Sequence, residues 1–401
     1  MRKGHPAGIM RAAAAGWLLF TFIAAACLPG ASRADAAPGL KVSDGMLTMD
    51  GHPVRRMGVN YFDAFARVLD DEAKAAEYRA GFRKLKEHGI PFIRFNCGGF
   101  YPTNWEIHQK DPERYFRLLD RFVADAEESG IGLIPSFFWF FLTPPGISGE
   151  PLDAWGDEGS RTHAWMKKYV SEVVGRYHRS PAILAWEFGN EYNLAMDLPG
   201  GAANHKRWFH PSRGFPDAPR ARDALRAADV GIALKVFGEA VRKSDPDRPI
   251  ISGHAMPRSA AAHLERDGTW TADKEPEWTD ALLRSHPSPI DTLSVHYYPF
   301  HKDDGTGITG KTHVEQLEVC LRASHASGKP LFVGEFGPAP DTDPATRLKE
   351  TAAMIDEMVS LKVPLSAVWV FDFPHQDVSI PADGSGDAIL RLVQAANERM
   401  K

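Results

Sequence analysis

Short apolar runs alternate with longer amphipathic stretches along most of this 401-residue chain. The apolar runs begin near residues 57, 92, 132, 183, 249, 292, 331 and 366. Between them, residues 112–128, 163–177 and 347–361 carry apolar side chains at the spacing of an α-helix. Strands that alternate with helices build parallel βα units. Eight such units predict an α/β fold of the (β/α)8 TIM-barrel type.

A doubly wound sheet is the alternative fold, and the end of the first apolar run argues against it. A nucleotide-binding sheet of that kind places a glycine-rich phosphate loop after an early strand. Here the run ends in Gly58-Val59-Asn60-Tyr61, which lacks such a loop. The barrel is therefore the favoured fold.

Two further segments modify the barrel pattern. Residues 40–57 contain short strand-like stretches with Asp-Gly turns at 44–45 and 50–51, which predict an N-terminal β-hairpin that closes the barrel bottom. The longest interval, 192–248, predicts an enlarged loop after strand four, at the face where barrels carry their active sites. Because glycine and proline are dispersed, we expect residues 37–401 to form a single domain.

The first 36 residues have the pattern of a signal peptide. Basic residues near the start precede an apolar stretch at 12–27, and residues 34–36 (Ala-Asp-Ala) match a cleavage site. An uncleaved membrane anchor is an alternative, but the stretch is short for a span of about 20 residues. A lipoprotein anchor at Cys27 is a second alternative, and the residues before it match such a site poorly. We expect a secreted or periplasmic protein.

Net charge bears on the partners of the chain, and its cysteine and histidine content bears on disulfides and metal binding. The formal charge of −5 gives no reason to expect binding to nucleic acid or to an anionic membrane. Without the leader the chain retains Cys97 and Cys320, which we expect to be free thiols. The cysteine and histidine spacing matches no zinc site, and we expect neither a metal nor another cofactor. We expect the protein to act as a monomer.

Polar and aromatic side chains stand at the ends of the predicted strands. Two of them are glutamates, Glu191 after the fourth run and Glu335 within the seventh. A carboxylate at the end of a buried strand is costly unless it is paired or used. Two carboxylates that meet in one cleft are the usual means of cleaving a glycosidic bond. The other candidates at this rim are Asn60, Arg94, Trp139, Asn190, His254, His296, Tyr298 and Trp369.

Four segments carry a resemblance to a known enzyme family. Residues 186–191 (WEFGNE) resemble the strand-four Asn-Glu signature of clan A glycoside hydrolases. Residues 295–298 (VHYY), 333–337 (VGEFG) and 92–96 (FIRFN) resemble the His-x-Tyr, nucleophile and arginine segments of glycoside hydrolase family 5. The matches keep their order between residues 40 and 372, so the chain resembles the cellulase- and mannanase-like glycosidases of that family.

The resemblance implies a role for each glutamate. Glu191 would be the general acid/base and Glu335 the nucleophile of a retaining double displacement. Arg94 and Tyr298 would keep Glu335 ionised and oriented, through charge and hydrogen bonding.

The resemblance also implies roles for the substrate contacts. Asn190 would donate to the sugar 2-hydroxyl, His296 would bond Glu191 or the substrate, and Trp369 would form the floor under the reacting sugar. Glu187, four residues before Glu191, is expected to be a structural carboxylate inside the barrel.

Alternatives remain for the substrate and for the activity. Residues 291–299 (DTLSVHYYP) are similar to mannanase-like members and favour a β-mannan. Strand three ends at Trp139 without a histidine, and Tyr192 rather than proline follows Glu191, so a β-glucan or an exo-acting glycosidase of the clan stays open. A catalytically silent carbohydrate-binding barrel is disfavoured because both carboxylates and their supports are present. A metal-dependent hydrolase is disfavoured because strand one lacks His-x-His.

Overall fold

The computed structural model describes residues 39–298 and 305–401. The leader predicted at residues 1–36, with Cys27, lies outside the described residues. No helix within the described ranges is long and apolar enough to cross a membrane.

The chain enters the described region through a small antiparallel sheet. Its strands pair in the order β1-β2-β3, with turns at the two predicted Asp-Gly pairs. Leu40 and Leu47 from this region pack on Phe92, Phe332 and Leu365, which lie at the starts of barrel strands. The sheet therefore covers the bottom of the barrel, as the sequence predicts. The three strands are β1 (Lys41–Ser43), β2 (Met46–Met49) and β3 (His52–Pro53).

Within the described residues, eight parallel strands build the predicted (β/α)8 barrel, in the order β8-β7-β6-β5-β4-β11-β10-β9. Every predicted apolar run begins within three residues of an observed strand. These strands are β4 (Arg56–Asn60), β5 (Phe92–Asn96), β6 (Gly132–Phe138), β7 (Trp186–Gly189), β8 (Ile250–Ile251), β9 (Leu293–Tyr297), β10 (Leu331–Phe336) and β11 (Leu365–Val368).

One seam of the barrel is joined by side-chain bonds and one backbone bond, from the Asp291 N–H to the Ile250 carbonyl (3.3 Å). Among the described residues, no backbone ladder connects β8 with β9. Instead, the backbone N–H of Ile250 donates to Asp291 Oδ1 (2.7 Å), and the Thr292 hydroxyl donates to the Ile250 carbonyl (3.1 Å). Strand β8 is only two residues long, so these bonds satisfy backbone groups that a longer strand would pair.

Helices surround the strands, and α4 illustrates how the sequence defines them. The Asp111 carboxylate accepts the backbone N–H of Arg114 (3.0 Å), Pro112 occupies the first helical position, and Gly130 ends the helix in the left-handed conformation (φ 68°). The helices are α1 (Ala66–Asp70), α2 (Ala75–Glu87), α3 (Glu106–Lys110), α4 (Pro112–Ser129), α5 (Thr143–Ser148), α6 (Arg161–Tyr177), α7 (Ala227–Arg242), α8 (Ala261–Asp267), α9 (Glu275–Arg284), α10 (His313–Ser327), α11 (Pro344–Ser360) and α12 (Asp387–Met400).

The enlarged loop after β7 is present as predicted. It contains the 3-10 helices Tyr192–Leu194, Gly201–Trp208 and Pro211–Arg213 before α7 begins. Cys97 and Cys320 are buried free thiols, as expected from the sequence.

Candidate active site

The two glutamates face one cleft at the C-terminal ends of the strands. Glu191 follows β7, Glu335 lies near the end of β10, and both line a cavity of about 610 Å³. A carboxylate oxygen of each lies within 4.8 Å of the other. Retaining glycosidases keep their two carboxyl groups about 5–5.5 Å apart, whereas inverting ones need about 6.5–9.5 Å. This close approach of one oxygen pair favours the retaining arrangement.

The backbone holds Glu191 in a conformation that is uncommon for a glutamate. Its φ is 53°, in the left-handed region, and its N–H donates to the Gly253 carbonyl (2.9 Å). Gly253 itself has a φ of +72°, and a Cβ there would lie 1.8 Å from the Gly189 carbonyl oxygen. Only glycine fits at position 253. Positive φ in a non-glycine residue is a form of strain that is often found at functional sites.

A strand irregularity orients Glu335. The pairing of β10 with β9 shifts register between Val333 and Glu335, which brings Glu335 opposite His296. The Gly334 carbonyl in this bulge accepts the side-chain amide of Asn60 (2.9 Å). Bulges next to active sites commonly redirect a side chain.

Arg94 and Tyr298 contact the two oxygens of Glu335 separately. Arg94 Nη1 lies 2.7 Å from Oε1, and the Tyr298 hydroxyl donates to Oε2 at 2.8 Å. Burial, together with the charges of Glu335 and Glu191, raises the pKa of Tyr298 well above its ordinary value. The phenol therefore remains a donor at neutral pH.

Arg94 is the centre of a buried polar network. Its Nε donates to Glu187 (2.8 Å), Nη1 also donates to the Asn60 amide oxygen (3.0 Å), and Nη2 donates to the Asn190 amide oxygen (2.8 Å). Burial acts to lower the pKa of Arg94, but the carboxylates of Glu187 and Glu335 outweigh it and raise that pKa. With its oxygen engaged, Asn190 presents its NH2 group as the remaining hydrogen-bonding group.

His296 connects the two glutamates. Its Nδ1 lies 2.8 Å from Glu191 Oε1 and 3.5 Å from Glu335 Oε2. Burial lowers the pKa of His296 to about 4, and the nearby Arg94 adds to this effect, so the ring is neutral at neutral pH. A neutral ring bonds Glu191 as donor or as acceptor according to its tautomer.

Solvent access differs between the two glutamates. The side chain of Glu191 is 32% exposed, whereas that of Glu335 is 6% exposed. One carboxylate thus reaches water while the other is enclosed by its donors.

Aromatic side chains line the cleft beside the carboxylates. Trp139 lies under the Arg94 guanidinium, with 4.3 Å between the guanidinium carbon and the ring centroid. Trp369 stands 6.3 Å from Trp139, and its indole N–H donates to Gln376 (2.7 Å). Both rings line the cavity that contains Glu191 and Glu335.

The structure does not bring every candidate into the cleft. Asn60 is fully buried and acts as a hydrogen-bond partner of Arg94 and of β10. His254 is also fully buried, beside His286, and is not among the residues that line the cavity of the two glutamates. Burial, with the neighbouring His286 and His296, lowers the pKa of His254 well below its ordinary value. Strand β8 ends at Ile251, three residues before His254, so the side chain belongs to the loop that follows the strand.

Several cleft residues carry no motif in the sequence. Phe62, Phe140, Phe373 and Arg258 line the cavity, and the loop insertion adds Trp208. The signal that identifies them is their position just after a strand or inside the long loop. A run of aromatics in such a position is also typical of ordinary core packing.

One family model covers most of the chain. The family model described as Cellulase (glycosyl hydrolase family 5) matches residues 48–372. Mannan endo-1,4-beta-mannosidase 2 of Oryza sativa subsp. japonica is 24% identical over 339 residues, which cover 77% of this chain and 69% of that protein. A protein of the same name from Arabidopsis thaliana is 24% identical over 63% of this chain and 58% of its own length.

A solved structure agrees with the fold. The crystal structure of the endo-1,4-beta-mannanase from Rhizomucor miehei superposes with a TM-score of 0.64 at 17% identity, covering 90% of this chain and 99% of that one. At that identity the likeness supports the barrel alone. The family match spans most of the chain and confirms the resemblance read from its motifs. This protein belongs to glycosyl hydrolase family 5, a family of retaining glycoside hydrolases.

Proposed function

We propose that this protein is an exported glycosidase that hydrolyses β-1,4-mannan by double displacement, with Glu335 as nucleophile and Glu191 as general acid/base. The observation that carries this proposal is the approach of the two carboxylates to within 4.8 Å. Such a close approach favours the narrow spacing of a retaining enzyme over the wider spacing of an inverting one.

The two steps assign different tasks to the carboxylates. In the first step a Glu335 oxygen bonds the anomeric carbon, the glycosidic C–O bond breaks, and Glu191 gives its proton to the departing oxygen. In the second step Glu191 takes a proton from water, the water oxygen attacks the anomeric carbon, and Glu335 leaves as a carboxylate. The 32% exposure of the Glu191 side chain suits a group that must meet water. The donors around Glu335 suit a leaving carboxylate.

Relatives and cleft chemistry support the choice of substrate. Both plant relatives are named as mannan endo-1,4-beta-mannosidases. The cleft combines apolar rings at Trp139 and Trp369 with the amide of Asn190, which suits the apolar face and the hydroxyls of a pyranose. We also propose that residues 1–36 direct export and that the mature enzyme acts as a monomer.

A substrate panel tests the activity and the sugar together. We expect reducing-end release from β-mannan to exceed that from carboxymethyl cellulose and xylan, with the product released first as the β-anomer in proton NMR. Release from cellulose derivatives alone would reject mannan as the substrate, and an α-anomer would reject the retaining mechanism.

Variants of the two glutamates test their roles. Glu335→Gln should abolish turnover, and Glu191→Ala should regain activity on an activated aryl glycoside when azide is added, because azide needs no general base. Glu398→Gln is the matched control, since Glu398 lies on the surface and bonds only Lys401 in the described structure. Undiminished turnover by folded Glu335→Gln would contradict the nucleophile assignment.

A further inference from the structure

A second cavity, of about 280 Å³, lies among the helices α7, α8 and α9, and neither Glu191 nor Glu335 lines it. Asn193 lines this cavity, whereas Glu191, two residues earlier, lines the catalytic cleft. The Asn193 amide bonds both backbone groups of Ala255 (2.8 and 3.0 Å), which fixes the turn between the two spaces. We call this second space the helix cavity. Its helical lining consists of Val230, Gly231 and Leu234 of α7, Ala261 and Leu264 of α8, and Ala281 of α9.

The walls of the helix cavity are largely apolar, and a helical glycine leaves room in it. No described atom beyond its own helix lies within 4 Å of the position that a Cβ on Gly231 would take. A cavity of about 150 Å³ with apolar walls is already large enough to bind benzene. The helix cavity can therefore hold a six-membered ring with a substituent.

One polar side chain at this cavity has no hydrogen-bond partner among the described residues. His254 is fully buried and lines the helix cavity, and both of its ring nitrogens are unpaired within that part of the chain. Because burial lowers the pKa of His254 well below its ordinary value, the ring is neutral and offers one donor and one acceptor. A buried polar group without a partner is costly, so its presence in a cavity indicates a ligand that pairs with it.

The other polar side chains that line the helix cavity are already engaged within the protein. Their bonds join Arg284 to Glu265 (2.8 Å), Arg258 Nη2 to the Leu194 carbonyl (2.7 Å), the Ala227 N–H to Asp197 (3.1 Å), and the Ser285 hydroxyl to the Leu282 carbonyl (2.8 Å). Arg284 and Glu265 are 45% and 40% exposed, so the charges that face solvent here neutralise each other. A charged ligand gains little from such a site, and a sugar would leave most of its hydroxyls against apolar walls.

We propose that the helix cavity is a second small-molecule site, which binds a neutral ring that carries one hydroxyl, as in a phenol or a cyclic alcohol. A hydroxyl both donates and accepts, which complements the neutral His254 ring, while the remainder of the ligand fills the apolar space. The site adjoins the catalytic cleft at Arg258, which lines both spaces. This inference does not depend on which glycan the cleft hydrolyses.

Two probes that differ only in the hydroxyl test the role of His254 in the full-length protein. By titration calorimetry at pH 7 we expect p-cresol to bind with a Kd on the order of 0.1 mM and toluene to bind about tenfold more weakly. His254→Leu should remove this difference by weakening the binding of p-cresol alone. His325→Leu is the matched control, because His325 is exposed and does not line the helix cavity.

A second pair of variants tests the location of the site. Gly231→Phe places a ring in the helix cavity and should abolish the binding of p-cresol. Gly175→Phe is the matched control and should leave that binding unchanged, because Gly175 is an exposed glycine of α6 with equally open surroundings.

Three results would overturn the inference. They are a wild-type protein that binds neither probe, equal affinities of the wild type for both probes, and binding of p-cresol that persists in folded Gly231→Phe. The last result would place p-cresol elsewhere, the catalytic cleft included. If His254→Leu does not fold, the two glycine variants still test the location and the two probes still test the hydroxyl.

Discussion

Replacing Arg94 with methionine tests the claim that one buried guanidinium balances two buried carboxylates. Arg94 and Glu187 are both fully buried, their charged atoms approach to 2.8 Å, and Arg94 lies 2.7 Å from Glu335. Removing one partner of a buried ion pair typically costs about 3–5 kcal/mol, because the remaining charge is left without compensation. We expect Arg94→Met to lower the free energy of unfolding by this amount, a large share of the roughly 5–15 kcal/mol of a typical domain.

A double-mutant cycle isolates the charge from the loss of packing. Urea unfolding at pH 7, followed by tryptophan fluorescence, is measured for Arg94→Met, Glu187→Gln and the double variant. Because glutamine carries no charge, the double variant should be less destabilised than the sum of the single variants by about 1–3 kcal/mol.

A surface pair provides the control for this cycle. Arg399 and Asp356 are 50% and 63% exposed and lie 2.6 Å apart, so Arg399→Met should cost no more than about 1 kcal/mol. Strict additivity in the Arg94 cycle, or a cost for Arg94→Met as small as this control, would refute the reasoning.

Three further predictions concern activity, acid stability and thiol reactivity. Tyr298→Phe removes the 2.8 Å bond to Glu335 and should lower kcat/KM by roughly ten- to hundredfold, since a bond to a charged group is worth about 1.5–3 kcal/mol; unchanged kinetics would contradict this. Burial lowers the pKa of His286 from 6.5 to about 4, so the unfolded chain binds the proton first and the free energy of unfolding should fall by up to about 3 kcal/mol between those pH values. That pH dependence should weaken in His286→Gln and persist in the control His375→Gln, where the side chain is exposed; equal slopes would speak against it. Burial raises the pKa of both free thiols to about 12, so they should react with Ellman's reagent only after unfolding, and rapid native reaction would disprove their burial.

The order of elements is determined by local sequence. Apolar runs and helical periodicity predicted the eight barrel strands to within three residues, because each pattern reports which faces of its own segment must leave water. Capping residues such as Asp111 and Gly130 set helix ends in the same local manner. The motifs around Glu191 and Glu335 identified the family because they occupy defined strands in a defined order.

The tertiary structure decided which of the candidates meet. The register shift at Gly334 that brings Glu335 opposite His296 depends on how two distant strands pair. The bond from Arg94 to Glu187 depends on barrel closure, and it gives a carboxylate inside the barrel a partner that no spacing reveals.

Two residues at the C-terminal face of the barrel, His254 and Trp208, illustrate what the sequence patterns do not reveal. His254 follows a strand of only two residues and is fully buried without lining the cavity of the two glutamates, whereas Trp208 lines that cavity from a loop without a motif. The sequence by itself determined the elements, their order and the family. Each of these follows from patterns within single segments and from the order of those segments along the chain. Distances between side chains arise only when the strands close into a ring, so the structure alone decided which of the candidates contact one another.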